Sequence, residues 1–253
     1  MYSTFQIDWS QSAREVILSE RDDLPPNIKA FKAEEGRLTP DVLAQAVSLF
    51  TSSTQAVQIE VPEDPALVAA AKSLEKLDGD DLILPNNTLF SSKGVLAKYF
   101  AKFSGRMPQE ELDQLQEFSE GLLAAVVENY GSEVVNEFLI FRQEATGYET
   151  YGFHSHVWDD ERTPDNGRAF YVSRALADLN SAFVNRDDLS DKSLDPKAIE
   201  AHFTNPNPSL WLGKPGSYLL FGTKGHEQGP CFHASPPHQK SRTVPIVNFY
   251  VPK

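Results

Sequence analysis

"FHSHVWDD", residues 153–160, and "PCFHASPPHQKSR", residues 230–242, decide how this chain reads. If the first run is a β-strand, alternation sets His154, His156 and Trp158 on one face and Phe153, Ser155 and Val157 on the other. Two imidazoles at neighbouring positions of one face can reach a single metal ion. Cys231, His233 and Ser235 share a face of the second run by the same rule. His233 lies far along the chain from His154 and His156, so strand pairing, not sequence proximity, has to build a common site.

The surroundings of both runs support strands. "NEFLIFRQ", "ETYGFHSHVW", "RAFYVSRAL", "SYLLFGT", "CFHASP" and "TVPIVNFYV" are short, aromatic or β-branched, and separated by turns such as "TPDNG" and "GKPG". The stretch from residue 185 to 209 is polar and broken by prolines, which suits an insertion over a site mouth. Before Gly131 the texture is helical. Thr39 and Pro40 open one helix as N-cap and first residue, and Asp64 and Pro65 open another. "SSKGVLAKYFAKF" is a third candidate. A long fourth helix carries Leu112, Leu115, Phe118, Leu122 and Val126 at helical spacing, with Gly121 a small cost within it. Between the first two, "TQAVQIEV" reads as a strand.

Helices first and strands afterward predict an α+β protein with a mainly β core, a double-stranded β-helix of jelly-roll or cupin-like form buttressed by N-terminal helices. One domain spans residues 1–253, with 1–131 as mainly helical support and 132–253 as the β core that carries the candidate metal site.

Composition narrows the function. A net charge of -13 with 23 Lys or Arg against 36 Asp or Glu argues against a grip on nucleic-acid phosphates. The single cysteine, Cys231, forms no intramolecular disulfide and no thiolate cluster, and as a small buried residue it needs no catalytic role. No run approaches the roughly 20 apolar residues of a membrane span and no basic-then-apolar leader opens the sequence, so a cytoplasmic protein with a small-molecule substrate is expected. The oligomeric state is not legible. No GxSxG elbow, Walker A phrase or Rossmann glycine pattern occurs. His202, His226 and His238 have ordinary surface or structural readings.

The histidine pattern resembles that of the iron(II), 2-oxoglutarate-dependent oxygenases, in which a His-x-Asp on an early strand, a distal His on a late strand and a following Arg form the site. The resemblance implies His233 as the distal ligand and Arg242 as the partner of the oxoglutarate carboxylate. The planar guanidinium suits a two-pronged bond there, and Ser241 or Thr243 can add a hydroxyl. "GPCFHASPP" is similar to the His-Arg-Ser-Pro-Pro segment of a bacterial domain family placed near those enzymes, whose Phe-His-x-Asp aligns with "FHSH".

The expected cofactor is iron(II) and the expected cosubstrate 2-oxoglutarate. Position 156, however, holds His where that pattern has Asp. Three ligand sets follow. His154, His156 and His233 form a three-histidine site; His154 is completed by Asp159 or Asp160; or His156 is the first ligand with one of those aspartates. Strand alternation favours the first.

Two other functions use the same residues. A cupin-like metal enzyme that needs no oxo acid would employ His154, His156, Glu161 and Gly167, although Gly147 is displaced from the cupin spacing. A noncatalytic binding or structural module would follow from loss of the motif's carboxylate.

Overall fold

Apolar alternation and capping residues build two sheets and a helical layer in the computed structural model, which describes residues 2–7, 16–21, 24–51, 53–77, 100–143, 151–154, 166–176, 180–183, 209–223, 231–235 and 242–252. The strands are β1 (Tyr2–Ile7), β2 (Val16–Arg21), β3 (Ile28–Lys32), β4 (Ala56–Glu60), β5 (Val135–Gln143), β6 (Tyr151–His154), β7 (Gly167–Arg174), β8 (Ala182–Phe183), β9 (Ser209–Leu212), β10 (Tyr218–Gly222), β11 (His233–Ser235) and β12 (Arg242–Pro252). One sheet has the order β3-β4-β10-β7-β12-β5 and the other β2-β1-β9-β8-β11-β6. From β5 onward the chain passes repeatedly between the sheets, and among the described strands of this part only β8 and β9 follow each other within one sheet. Apart from the parallel β3–β4 pair, the pairings are antiparallel.

The described residues include the helices α1 (Pro40–Ser48), α2 (Pro65–Leu74) and α3 (Gln109–Tyr130), of which α1 and α2 begin where the sequence places their start signals. Thr39 accepts a hydrogen bond from the Val42 amide, and Asp64 accepts from the Ala66 and Leu67 amides. Each satisfies donors that a first helical turn leaves open. Leu112, Leu115, Phe118, Leu122 and Val126 of α3 are buried. Gly131 ends that helix at φ 88° and donates to the Val127 carbonyl, a left-handed position that favours glycine. Most of the third predicted helix lies outside the described residues; at its end Ala101–Phe103 forms a short 3-10 turn.

The first sheet is covered on one side by the helices. Phe170, Val172, Tyr218, Leu220, Val247 and Phe249 join Leu43, Leu67, Phe118 and their neighbours in one core. The alternate residues of the same strands, Tyr171, Ala175, Leu219, Phe221, Val244 and Ile246, pack with Phe183, Trp211 and Cys231, so a second core lies between the sheets.

The N-terminal region contributes more than helices. β1 and β2 extend the second sheet, while β3 and β4 extend the first. Of these, only β4 is expected from the sequence. β3 alternates poorly, because it is an edge strand whose exposure runs buried, exposed, intermediate, intermediate, exposed. Among the described residues, no helix is long and apolar enough to cross a membrane.

Candidate active site between the sheets

His233 opens β11 and is 5% exposed. Its ring lies between the sheets, with centroid distances of 4.5 Å to Phe221, 6.2 Å to Phe183 and 6.4 Å to Tyr171. Nδ1 is 3.2 Å from the Cys231 carbonyl oxygen. A carbonyl only accepts, so this contact makes Nδ1 the protonated nitrogen and puts the lone pair of the neutral ring on Nε2. That is the orientation a metal-binding histidine uses, with one nitrogen anchored by the backbone and the other presented outward.

Register supplies the second histidine. The Cα of His233 pairs with that of His154 on β6 and, on its other side, with Phe183 on β8. Phe183 pairs in turn with Trp211 on β9. Directly opposed positions of antiparallel strands share a face and stand about 5 Å apart. Positions 154, 233, 183 and 211 therefore form a row across the second sheet. The pairing of β11 with β6 shifts register just beyond His233, where Ser235 pairs with Tyr151.

The opposing wall has its own row. Phe221, Tyr171, Asn248 and Glu137 are successive cross-strand partners on β10, β7, β12 and β5. Tyr171 and Phe221 lie 4.9 Å apart by ring centroid, directly across from His233. Burial raises the Tyr171 hydroxyl far above its ordinary range, and the Glu137 carboxylate adds to the effect. Ser173, one alternation along β7, and Trp211 are each 2% exposed. Ser173 Oγ, Trp211 Nε1 and Asn248 Oδ1 have no hydrogen-bond partner among the described residues. These polar atoms lie on strands whose alternate positions form the core between the sheets.

Arg242 is the first residue of β12, and its Cα pairs with Gln143. It shares the alternation of Val244 and Ile246, whose side chains join the core between the sheets. Thr243 is fully buried and falls on the alternation of Val247 and Phe249, which pack with the helices. His156, Asp159, Asp160 and Ser241 lie outside the described residues, as do Glu161 and Gly147. Among the described residues no group of three or more His, Cys, Asp or Glu is placed to hold a metal ion. Of the expected ligands, His233 is buried and anchored by the Cys231 carbonyl, and position 154 is its cross-strand partner. Every candidate for the third ligand belongs to residues 155–160.

Glu137, on the wall that faces His233, is not singled out by the sequence alone. Its signal was a polar residue at an alternate position of the apolar run "VNEFLIF". Its meaning emerges only when β5 is paired with β12.

No family model and no curated protein sequence matches the chain. Solved structures do. A dioxygenase for auxin oxidation from rice is similar over 89% of this chain and 84% of its own, with 14% identity and a TM-score of 0.50. A non-haem monooxygenase, ThoJ, in a nickel complex aligns over 72% of this chain and 77% of its own at 15% identity and a TM-score of 0.32. A prolyl-4-hydroxylase from Pseudomonas putida aligns over 76% and 94% at 16% identity and a TM-score of 0.31. The chain has a mixed β core with interspersed helices, and its fold is similar to that of the rice dioxygenase. The likeness to the rice enzyme is one of fold.

Proposed function

We propose that this chain is a non-haem iron(II)- and 2-oxoglutarate-dependent oxygenase acting on a small organic or amino-acid-like substrate, on a double-stranded β-helix formed by residues 132–253 and supported by 1–131. The observation that carries this reading is the pairing of position 154 with His233, opposite Phe221 and Tyr171. The likeness in fold to the rice dioxygenase supports it.

In this reading His233 holds the metal through Nε2 while the Cys231 carbonyl fixes its ring. His154 is the second ligand, and His156 the third, with Asp159 or Asp160 as the competing choice. When bound, iron(II) supplies open coordination positions for an oxo acid and dioxygen and the redox chemistry that couples them. Arg242 pairs with the distal carboxylate of 2-oxoglutarate, a planar match that lysine makes less rigidly. Ser241 adds a hydroxyl at that end; Thr243 does so only if the chain there departs from the alternation of β12. Phe183, Phe221 and Trp211 exclude water around His233, which strengthens every charge interaction inside the site. Tyr171 keeps its proton throughout the physiological range and donates rather than ionises.

The test is conversion of 2-oxoglutarate to succinate by protein reconstituted with iron(II) under oxygen. Turnover is expected in the wild type and absent in His233→Ala. Oxygen uptake that proceeds without any oxo acid would replace this reading with the cupin-like one.

A further inference from the structure

Ser173 and Asn248 belong to the wall that faces His233. The Cα of Asn248 pairs with that of Tyr171 and the Cα of Ser173 with that of Ile246, so the two stand on β7 and β12 as diagonal neighbours one alternation apart. They share the alternation of Tyr171, Ala175, Val244 and Ile246, which pack in the core between the sheets. Diagonal positions of an antiparallel pair lie about 7–8 Å apart. Ser173 is 2% and Asn248 1% exposed, yet Ser173 Oγ and Asn248 Oδ1 have no hydrogen-bond partner among the described residues. Tyr171, beside Asn248, keeps its proton, and its ring centroid is 6.4 Å from that of His233. Leu219 and Ile246 flank Ser173.

Two open polar atoms this deeply buried are costly in an empty protein and valuable when one ligand group satisfies both. Asn248 Oδ1 only accepts, whereas the Ser173 hydroxyl has a proton to give. The group that fits carries a donor and an acceptor together. An ether or a carboxylate brings no donor to Asn248, and an ammonium group brings no acceptor for the Ser173 proton. Either ion would also lose its hydration beside two uncharged side chains. Glu137, beyond Asn248 in the row, already has an interaction of its own and is not called upon. A neutral hydroxyl satisfies both atoms at once, and a ligand oxygen about 2.8 Å from each side-chain oxygen fits between positions so spaced.

We propose that Ser173 and Asn248 bind a hydroxyl group of the substrate, which donates to Asn248 Oδ1 and accepts from Ser173 Oγ, and so hold the adjoining carbons beside Tyr171 on the wall that faces His233. The substrate class is thereby a neutral alcohol, not an amine or an acid at this point of the molecule. The inference rests on the oxygenase reading only in calling this alcohol the substrate. Leu219, Ile246 and Phe221 receive its hydrocarbon part.

The test uses n-butanol and its isomer methyl propyl ether, with n-butylammonium and butyrate as charged counterparts. Binding to the full chain is followed by ligand-observed NMR without metal, so that no probe is held as a metal ligand. The wild type is expected to bind n-butanol at least about fivefold more tightly than each other probe. Asn248→Leu and Ser173→Ala are each expected to bring n-butanol to within about twofold of the ether. Absence of n-butanol binding, or equal binding of n-butanol and the ether, overturns the inference whether or not the variants fold, and so does tighter binding of either ion. A preference unchanged in a folded Asn248→Leu or Ser173→Ala overturns it as well. Failure of the iron(II)-loaded wild type to bind 2-oxoglutarate, with the alcohol preference intact, removes the oxygenase reading and leaves the hydroxyl site standing.

Discussion

The Nδ1–H of His233 donates to the Cys231 carbonyl two residues earlier, across 3.2 Å. This bond fixes the imidazole between Phe221, Phe183 and Tyr171 before any metal arrives. A preset ligand loses little freedom on binding. Replacing His233 by Ala is therefore expected to lower iron(II) affinity by more than about 100-fold, beyond the effect usual for residues that merely orient a ligand. Anaerobic metal titration measures it; affinity within tenfold of the wild type would exclude His233 as a ligand.

Arg174 makes a separate, structural prediction. It is 3% exposed on the helix-covered side of β7 and donates to the Gly36 carbonyl at 2.9 Å and to the Tyr218 hydroxyl at 3.4 Å. Its guanidinium also lies over the Tyr218 and Phe118 rings, 4.9 and 5.5 Å from their centroids. Arg174 thereby ties the segment before α1 to the sheet. Arg174→Met should cost about 2–4 kcal/mol, because the Gly36 carbonyl and Tyr218 hydroxyl lose a buried donor. Urea denaturation reads this directly, and a loss below about 0.5 kcal/mol would show that the contacts contribute little.

The buried tyrosines predict a loss of stability in alkali. Burial raises both the Tyr171 and Tyr218 hydroxyls, with Glu137 adding to the first and Arg174 opposing the second. The unfolded chain releases these protons near pH 10 while the folded protein retains them, so the unfolded state binds fewer protons above that pH. The contribution of these two tyrosines is then constant below about pH 9 and falls above about 10, by up to roughly 1.4 kcal/mol per pH unit for each. Denaturation midpoints measured across this range should show the fall, and Tyr171→Phe should reduce its slope. An unchanged slope in that variant would contradict the assignment.

The sequence revealed elements whose signals are local. Thr39, Asp64 and the apolar positions of α3 specify helices by short-range capping and periodicity, and the structure uses each of them. The aromatic runs from Val135 onward likewise became β5, β6, β7, β10, β11 and β12, β6 being described over Tyr151–His154. The short strands β8 and β9 were not legible, because two and four residues carry too little alternation to identify a strand. β3 escapes notice for a related reason: it is an edge strand of poor alternation that pairs with β4 in parallel, and β1 and β2 stand outside the apolar, aromatic runs of the C-terminal half. At the site, parity brought His154 and His233 to notice, but only interstrand register matched them with each other and aligned Glu137 with Asn248.

The third ligand separates the three candidate sets. If His156 completes the site, His156→Ala should lose bound iron(II), whereas Asp159→Asn and Asp160→Asn should retain it within about threefold. His156→Asp should still bind, because it restores the carboxylate of the commoner arrangement. Metal content after anaerobic reconstitution ranks these four variants. An intact site in His156→Ala with loss in either Asn variant would transfer the ligand role to that aspartate.

The central claim, an iron(II) site that chelates 2-oxoglutarate with Arg242 at its far end, is tested most directly by titrating 2-oxoglutarate into the iron(II)-loaded protein without oxygen. A weak visible charge-transfer band should appear on binding in the wild type, and Arg242→Ala should require at least about tenfold more oxo acid to reach it. A fully iron-loaded wild type that develops no such band and shows no 2-oxoglutarate binding by calorimetry would contradict the account.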